Sequence, residues 1–382
     1  MKETKSLNNY VVNLNVLILF VILNPFIMWV ISPLYINICL LGSSFLALFY
    51  LASSGLIVIT IKRLMFFFLG LIFTLYITTK FILPESNIGK LIHFSLMLGI
   101  FFYPSNLLFK VFVKFRKALI FFCYVSVIIF FITLIGIELP YYKIDAFSLV
   151  MKSLNAYYRL YGVVVSSTNT VYDLGSFTIM RVCGPFLEPG HFAIYIGFTM
   201  ILEKFFFNRI NNIFIIASLL TFSPSIIFFF ALLFAYHNYY AFNLKSFLTY
   251  SLIAMSISLL TVSISTVVQE QLLYLLVGRN LESSDNGGGL TELLDDRAGK
   301  QALVAYRQYV RTDESLFGKG VKYLENFGVL SDYRGLIFKF GYIGFSLVIL
   351  LYLVILFSGT SQKMKLMLLA ISFIIILHRS WM

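Results

Sequence analysis

Long apolar runs dominate this chain, and they constrain its fold more than any other feature of the sequence. Runs of about 20 residues, enough for a helix to cross a hydrocarbon core of roughly 30 Å, recur along most of its length. Backbone polar groups inside a bilayer must find partners within the protein, so such runs fold as helices. The chain is 60% hydrophobic and only 12% charged, which excludes an ordinary soluble domain. The sequence therefore predicts an all-α polytopic integral membrane protein.

We read eleven of these runs, within a range of ten to twelve, as transmembrane helices of a single polytopic domain over residues 1–382. The short seventh run meets the eighth at residues 222–225, and this boundary decides the direction of every later helix. No small-residue cleavage site follows the first basic residues, so the first helix is expected to remain in the protein. The predicted crossings are 14–31, 34–59, 64–83, 88–109, 118–139, 189–207, 211–222, 224–241, 246–267, 335–357 and 362–378.

Lysine and arginine are distributed unevenly between alternate connections, and this predicts the orientation. Short connections at 32–33, 84–87 and 223–225 contain no cation. Since basic connections stay on the cytoplasmic side, we expect a cytoplasmic N-terminus in a bacterial inner membrane. The net charge of +12 then requires no nucleic acid as partner. The cations assigned to cytoplasmic connections are Lys62, Arg63, Lys110, Lys114, Arg116, Lys117, Lys204, Arg209, Lys245, Lys363 and Lys365.

This topology places two long loops, 140–188 and 268–334, on the outer face, where long loops commonly carry function. The second loop contains an amphipathic helical pattern at about 290–311, with its cations on one stripe and small or aromatic residues opposite. Two interpretations are open: a helix lying on the lipid headgroups, or a cationic wall that faces a phosphorylated lipid substrate. The candidate substrate-binding cations are Arg297, Lys300, Arg307 and Arg311 on the stripe, with Lys319, Lys322, Arg334 and Lys339 beyond it.

Polar chemistry is concentrated in the stretch RVCGPFLEPGHFAIYIG, residues 181–197, at the start of the sixth predicted crossing. Pro189 suits the first position of a helix, which puts Glu188 at the N-cap. One interpretation is a local salt bridge from Arg181 to Glu188, with His191 as an ordinary interfacial residue. The other is a reaction centre. Arginine binds diphosphate in a fork, and a carboxylate or imidazole is suited to accept a proton from a hydroxyl.

Three stretches resemble the O-antigen polymerase (Wzy) family: the motif from Arg181 through Glu188 to His191, LLTFSPSIIFFF, and YRGLIFKFGYIG after a long basic loop. The resemblance implies a glycosyltransferase with a GT-C-like bundle and two long outer-face loops, acting without a cofactor. Such an enzyme joins undecaprenyl-diphosphate-linked oligosaccharide repeats at the outer face of the inner membrane. The resemblance also implies membrane lipids, a chain-length regulator and a flippase as partners. The eleven predicted helices are one fewer than such proteins often have.

Carried onto this chain, the resemblance matches Arg181 to the arginine and Glu188 to the glutamate of the family's motif. We expect Arg181, with Arg311, Lys322 and Arg334, to stabilise the charge on the departing diphosphate. Glu188 is the first candidate for the base and His191 the second. The sequence contains no D-x-D motif, so we expect no metal site and assign charge stabilisation to the cations. Tyrosines in the first outer loop have two interpretations, as packing or interfacial residues or as surfaces that stack on sugars. These tyrosines are Tyr157, Tyr158, Tyr161 and Tyr172.

Three other functions remain open from the sequence. An O-antigen ligase or related glycan transferase would use the same donor with a different acceptor. A flippase or transporter would place ionisable groups along the middle of its helices, whereas the first five predicted helices have almost none there. A membrane partner without catalytic activity is the third.

Overall fold

The computed structural model describes residues 2–23, 25–26, 30, 33–81, 98–145, 157–168, 171–173, 178–223, 226, 229–230, 232–234, 300–319 and 333–357. The predicted crossings at 246–267 and 362–378, and most of the one at 224–241, lie outside these residues. Two compact units divide the chain, and we describe each by itself. Unit 1 contains residues 1–117 and 294–382, and unit 2 contains residues 118–293.

Helices make up most of the described chain, and short strands follow the fourth helix. The helices are α1 (Lys2–Ile22), α2 (Pro33–Ser53), α3 (Ile61–Phe81), α4 (Ser105–Leu134), α5 (Pro189–Phe207), α6 (Asn212–Leu219), α7 (Lys300–Tyr309) and α8 (Tyr333–Phe357), with short 3₁₀ helices at Leu98–Phe102 and Asp313–Leu316. The strands are β1 (Tyr142–Asp145), β2 (Tyr157–Tyr161), β3 (Val164–Ser167), β4 (Val171–Asp173) and β5 (Thr178–Met180).

Among the described residues, three helices are long and apolar enough to cross a membrane: Ser105–Leu134, Pro189–Phe207 and Tyr333–Leu351. Large apolar side chains such as Phe49 on α2 and Ile128 on α4 are more than half exposed, as expected where a helix faces lipid. The prediction of a mainly helical chain with membrane-spanning helices is confirmed in this form. The all-α part of the prediction is wrong, because five short strands form two small sheets. The sixth predicted crossing, 189–207, coincides with α5.

The connection predicted around Lys110–Lys117 is wrong, because these residues belong to the continuous 30-residue helix α4. Lysine, arginine and leucine are strong helix formers, so the charged stretch extends the apolar helix rather than interrupting it. The break lies earlier, at Pro104, which separates α4 from the 3₁₀ helix. A straight crossing over 88–109 is therefore wrong from residue 98 onward, and these cations no longer mark a loop.

The seventh predicted crossing, 211–222, is also wrong as a full span. Helix α6 has only eight residues, which is about 12 Å of helix against a hydrocarbon core of roughly 30 Å. It begins at the N-cap Asn211, whose side chain accepts a hydrogen bond from the Ile213 N–H, and ends in a turn at residues 220–223. The residues of this stretch are apolar because they are buried inside the protein, and not because they form a membrane-spanning helix. Phe214 and Ala217, for example, are fully buried.

In unit 1, helix α8 is interrupted at Gly341, which has φ 69° and ψ 178°. The end of the second 3₁₀ helix passes so close that a Cβ at Gly341 would clash with the Leu316 carbonyl oxygen. Carbonyls before the break find partners outside the helix, which a membrane-embedded backbone requires. Phe338 O accepts from Lys319 N at 2.9 Å, and Phe340 O accepts from the Tyr76 hydroxyl at 2.8 Å.

In unit 2, the five described strands of the first predicted outer loop form two small antiparallel sheets, ordered β1-β2-β3 and β4-β5. The first sheet packs through Val164 against Ile129 of α4 and Met180 of β5. The backbone of β3 then continues to the segment before α5, because Val165 N donates to Gly184 O at 2.8 Å. The loop is therefore a folded β layer tied to the start of α5.

Candidate functional site

Helix α7 in unit 1 has one face packed on protein. Tyr309 is buried with Ile337 and Phe338 of α8, and Ala305, Tyr306 and Val310 pack around them. These side chains belong to the apolar face predicted from the sequence, which confirms the amphipathic pattern over Lys300–Tyr309. Since α8 covers this face, α7 is held against the protein by the surface that an interfacial helix would bury in lipid.

The opposite face of α7 borders a shallow cavity of about 310 Å³, lined by Val304, Arg307, Gln308 and Arg311. All four side chains are exposed. Arg307 and Arg311 are four residues apart, which puts their guanidinium groups on the same side of the chain. Two guanidinium groups beside an open cavity have the charge and the planar donor geometry that suit a di-anion. We call this feature the arginine cavity.

Hydrogen bonds of the Tyr309 hydroxyl hold α7 in place, in addition to the apolar contacts. The Tyr309 hydroxyl lies 3.2 Å from the Glu314 carbonyl oxygen and 3.3 Å from that of Ile337, so one side chain joins α7 to both following elements. Burial raises the pKa of Tyr309 to about 12, so the phenol stays a neutral donor at physiological pH. The arginine cavity therefore stands on a rigid base.

The other predicted substrate-binding cations of unit 1 differ in their surroundings. Lys319 forms an ion pair with Glu314, which neutralises part of its charge. Arg334 is only 8% exposed in the first turn of α8, and Lys339 is half-buried two residues before the break at Gly341. Arg297, Lys322 and the side chain of Lys300 lie outside the described residues. Arg307 and Arg311 are the two predicted cations that the structure brings together at a cavity.

In unit 2, the stretch before α5 is folded into the core. Cys183, Phe186 and Phe192 are fully buried, and the Phe186 ring lies 6.0 Å from that of Phe192. Gly184 has φ 59°, and a Cβ there would lie 2.7 Å from the Phe192 ring, so only glycine fits this turn. We call residues 181–192 the buried window.

The side chain of Arg181, at the start of this window, donates hydrogen bonds to backbone carbonyls. Its Nε donates to the Thr221 carbonyl at 3.0 Å and its Nη2 to the Phe222 carbonyl at 3.1 Å, both in the turn after α6. Val182 N donates to the Leu220 carbonyl at 3.1 Å beside them. Carbonyls at a helix C-terminus lack intrahelical partners, and a cationic side chain is a favourable one. Phe222 itself has φ 46°, which these bonds help to hold. The assignment of Arg181 to a diphosphate stays a prediction.

Glu188 is the N-cap of α5 with φ −131° and ψ 143°, and Pro189 occupies the first turn, as the sequence predicted. Its side chain is exposed, whereas that of His191 is 9% exposed. The backbone N–H of His191 donates to the Glu188 carbonyl at 3.2 Å, so both residues lie at the start of α5. Behind them, burial and then the negative charge of Glu188 raise the pKa of Tyr158 to about 12.

This geometry gives Glu188 the accessibility that a base needs, with His191 beside it and neutral Tyr158 below. The sequence did not predict that Tyr158 lies near Glu188. From the sequence, Tyr158 was interpreted only as a packing or interfacial residue or as a surface for sugar stacking. The pairing of β2 with β3 sets the inward direction of the Tyr158 side chain. The residues of that pairing lie far in the sequence from the motif between Arg181 and His191. Within the described ranges, no three His, Cys, Asp or Glu side chains are close enough to hold a metal ion.

Comparison of the chain with protein-family models, with curated proteins and with solved structures finds no significant match.

Proposed function

We propose that this protein is a membrane glycosyltransferase that uses a lipid-diphosphate-linked glycan, and specifically an O-antigen polymerase at the outer face of a bacterial inner membrane. The arginine cavity of unit 1 is the observation that carries the proposal. Two exposed guanidinium groups beside one open cavity match the charge and size of a diphosphate better than those of a neutral ligand.

In the proposed reaction, a hydroxyl oxygen of the acceptor glycan attacks the anomeric carbon of the donor. The new glycosidic bond forms as the bond from that carbon to the lipid diphosphate breaks. The diphosphate leaves with the bonding electrons, and its growing negative charge is what arginine stabilises. The hydroxyl proton goes to a base. The undecaprenyl diphosphate chain stays in the bilayer, and a flippase and a chain-length regulator are the partners this role entails.

The mouth of α5 in unit 2 supports the second half of this chemistry. Glu188 is exposed at the N-cap, whereas Pro189 and Phe192 of the same helix are buried. Its place at the N-cap of α5 makes the carboxylate accessible to a hydroxyl of the acceptor, which is why Glu188 is the first candidate for the base. His191 follows one turn into the helix as the second candidate.

The test is a glycan ladder on a gel, from a strain in which this gene is deleted and replaced by plasmid-borne variants. Wild type should restore long chains from a background of single repeats. The double variant Arg307→Ala/Arg311→Ala and the single variant Glu188→Gln should leave single repeats at normal protein level. Arg209→Ala is the matched control, because Arg209 is an exposed arginine far in sequence from both sites, and it should restore the full ladder.

Other outcomes overturn the proposal. If deletion removes all surface glycan, including the single repeat, a flippase or ligase is indicated instead. If the arginine and glutamate variants both restore a normal ladder, neither site takes part in polymerisation.

A further inference from the structure

The exposed face of the β1-β2 pair carries a cluster of tyrosines and cations that the proposed reaction does not use. Tyr141 and Tyr157 stack with their ring centroids 6.4 Å apart and their hydroxyl oxygens 3.4 Å apart. The Tyr161 ring lies edge-on to Tyr141 at 5.9 Å. Lys143 and Arg159 lie among these rings on the same face. We call these five residues the tyrosine platform.

The two cations of the platform are placed unusually. Lys143 lies directly opposite Arg159 in the antiparallel register, and like charges in this position repel each other. Both are attracted to the same ring, since Lys143 Nζ lies 4.6 Å and the Arg159 guanidinium 5.7 Å from the Tyr157 centroid. The Arg159 Nε is also buried without a hydrogen-bond partner among the described residues. An anion over this pair would relieve the repulsion and use the remaining donors.

Acidic residues do not neutralise this pair within the described strands. Asp145 lies on the same face opposite Tyr157, yet its carboxylate forms no ion pair with Lys143 or Arg159 in the described sheet. Two cations and one carboxylate leave the face with a net positive charge. The rings meanwhile provide flat apolar surfaces, of the kind on which the C–H face of a pyranose packs.

We propose that the tyrosine platform binds an acidic glycan, whose pyranose rings stack on Tyr141 and Tyr157 and whose carboxylate binds between Lys143 and Arg159. The inference rests on the proposed function only for the choice of a saccharide as ligand. It names the substrate class: repeats that contain a uronic or other carboxylated sugar. The platform holds the glycan and takes no part in bond formation.

The composition of the face favours a saccharide over a lipid surface. Segments that lie on membranes present aliphatic side chains to the acyl layer. On this face, Tyr141, β1 and β2 present tyrosines and charged residues alone, and the aliphatic Val164 of neighbouring β3 is 1% exposed. The platform rings are also held by cations and hydroxyls, so they are preorganised for a flat ligand.

The probe is a galacturonic acid hexasaccharide, compared with its fully methyl-esterified form, which has the same backbone without charge. Binding is measured by isothermal titration to the purified full-length protein in a non-ionic detergent. The account predicts saturable binding of the acid and at least about tenfold weaker binding of the ester, which is about 1.4 kcal/mol.

Substitutions in and beside the tyrosine platform test whether the hexasaccharide binds there. Tyr141→Ala should weaken binding about tenfold by removing a stacking surface, and Lys143→Ala about threefold by removing one exposed charge. Tyr142→Ala is the matched control, because Tyr142 is 76% exposed on the opposite face of the same strand, and it should bind like wild type. Tyr141→Phe keeps the ring, so it should retain binding and would show that loss in Tyr141→Ala is not misfolding.

Equal binding of acid and ester, or equal loss in Tyr142→Ala, overturns the inference. So does displacement of the hexasaccharide by short-chain phosphatidylglycerol with no discrimination between acid and ester, which would indicate a lipid headgroup site. Because the titration uses isolated protein, its failure is distinct from failure of the glycan ladder: a chain can polymerise neutral repeats without binding this probe.

Discussion

The arginine cavity and the buried window both contain arginine, but the two regions use it differently. Arg181 in the window donates to two backbone carbonyls of the turn after α6 and is surrounded by fully buried neighbours. Arg307 on α7 and Arg311 in the turn directly after it both line an open cavity. Arginine in a polar motif therefore identifies a binding site only when its donors face a space that a ligand can enter. In the window, Nε and Nη2 of Arg181 donate to carbonyls of the chain itself, and its assignment to a diphosphate stays a prediction.

Gly184→Ala gives the largest expected effect and tests whether the window is structural. The new Cβ would meet the Phe192 ring at 2.7 Å on a backbone with φ 59°. Strain and overpacking together should cost about 3 kcal/mol, so little folded protein should accumulate. The measurement is the fraction of a fluorescent fusion that remains monodisperse in size-exclusion chromatography. Gly162→Ala, also at positive φ but with open space around it, is the control and should lose much less.

Arg181→Ala sharpens the comparison directly. Removing the guanidinium leaves the Thr221 and Phe222 carbonyls without these donors, at a cost of about 2 kcal/mol. The apparent melting temperature in detergent should fall by several degrees relative to the exposed-arginine variant Arg209→Ala. A melting temperature unchanged from wild type, combined with lost polymerisation, would instead return Arg181 to the catalytic role that the sequence first suggested.

The smallest stability effect is expected for Arg307→Ala/Arg311→Ala. Both side chains are exposed, so their loss should change the free energy of unfolding by less than about 0.5 kcal/mol each. The same melting assay checks this, and the activity loss predicted above should occur without a shift in melting temperature. A large shift would mean that these arginines hold the fold, and the contrast between the two regions would disappear.

Local signals in the sequence predicted the start of α5 and the buried face of α7, whereas α1 and α4 begin well before the predicted crossings 14–31 and 118–139. Pro189 after Glu188 fixed the beginning of α5, and the spacing of Ala305, Tyr306 and Tyr309 identified the buried face of α7. These features depend on a few neighbouring residues, which is why a single sequence reveals them.

Features that depend on distant residues were not predictable. The break of α8 at Gly341 arises because residues near Leu316 cross the helix there, and no local pattern reports that crossing. The partners of Arg181 lie 40 and 41 residues away. The first outer loop was expected only as a loop, because short strands of the β1-β2-β3 sheet give little periodic signal.

The central claim is that the arginine cavity binds the diphosphate of a lipid-linked glycan. Native mass spectrometry of the purified protein with undecaprenyl diphosphate and undecaprenyl monophosphate tests it most directly, using wild type and Arg307→Ala/Arg311→Ala. The account predicts that wild type prefers the diphosphate, and that the double variant binds both lipids equally and weakly. Equal binding of the two lipids by wild type, or an unchanged diphosphate preference in the double variant, would contradict it.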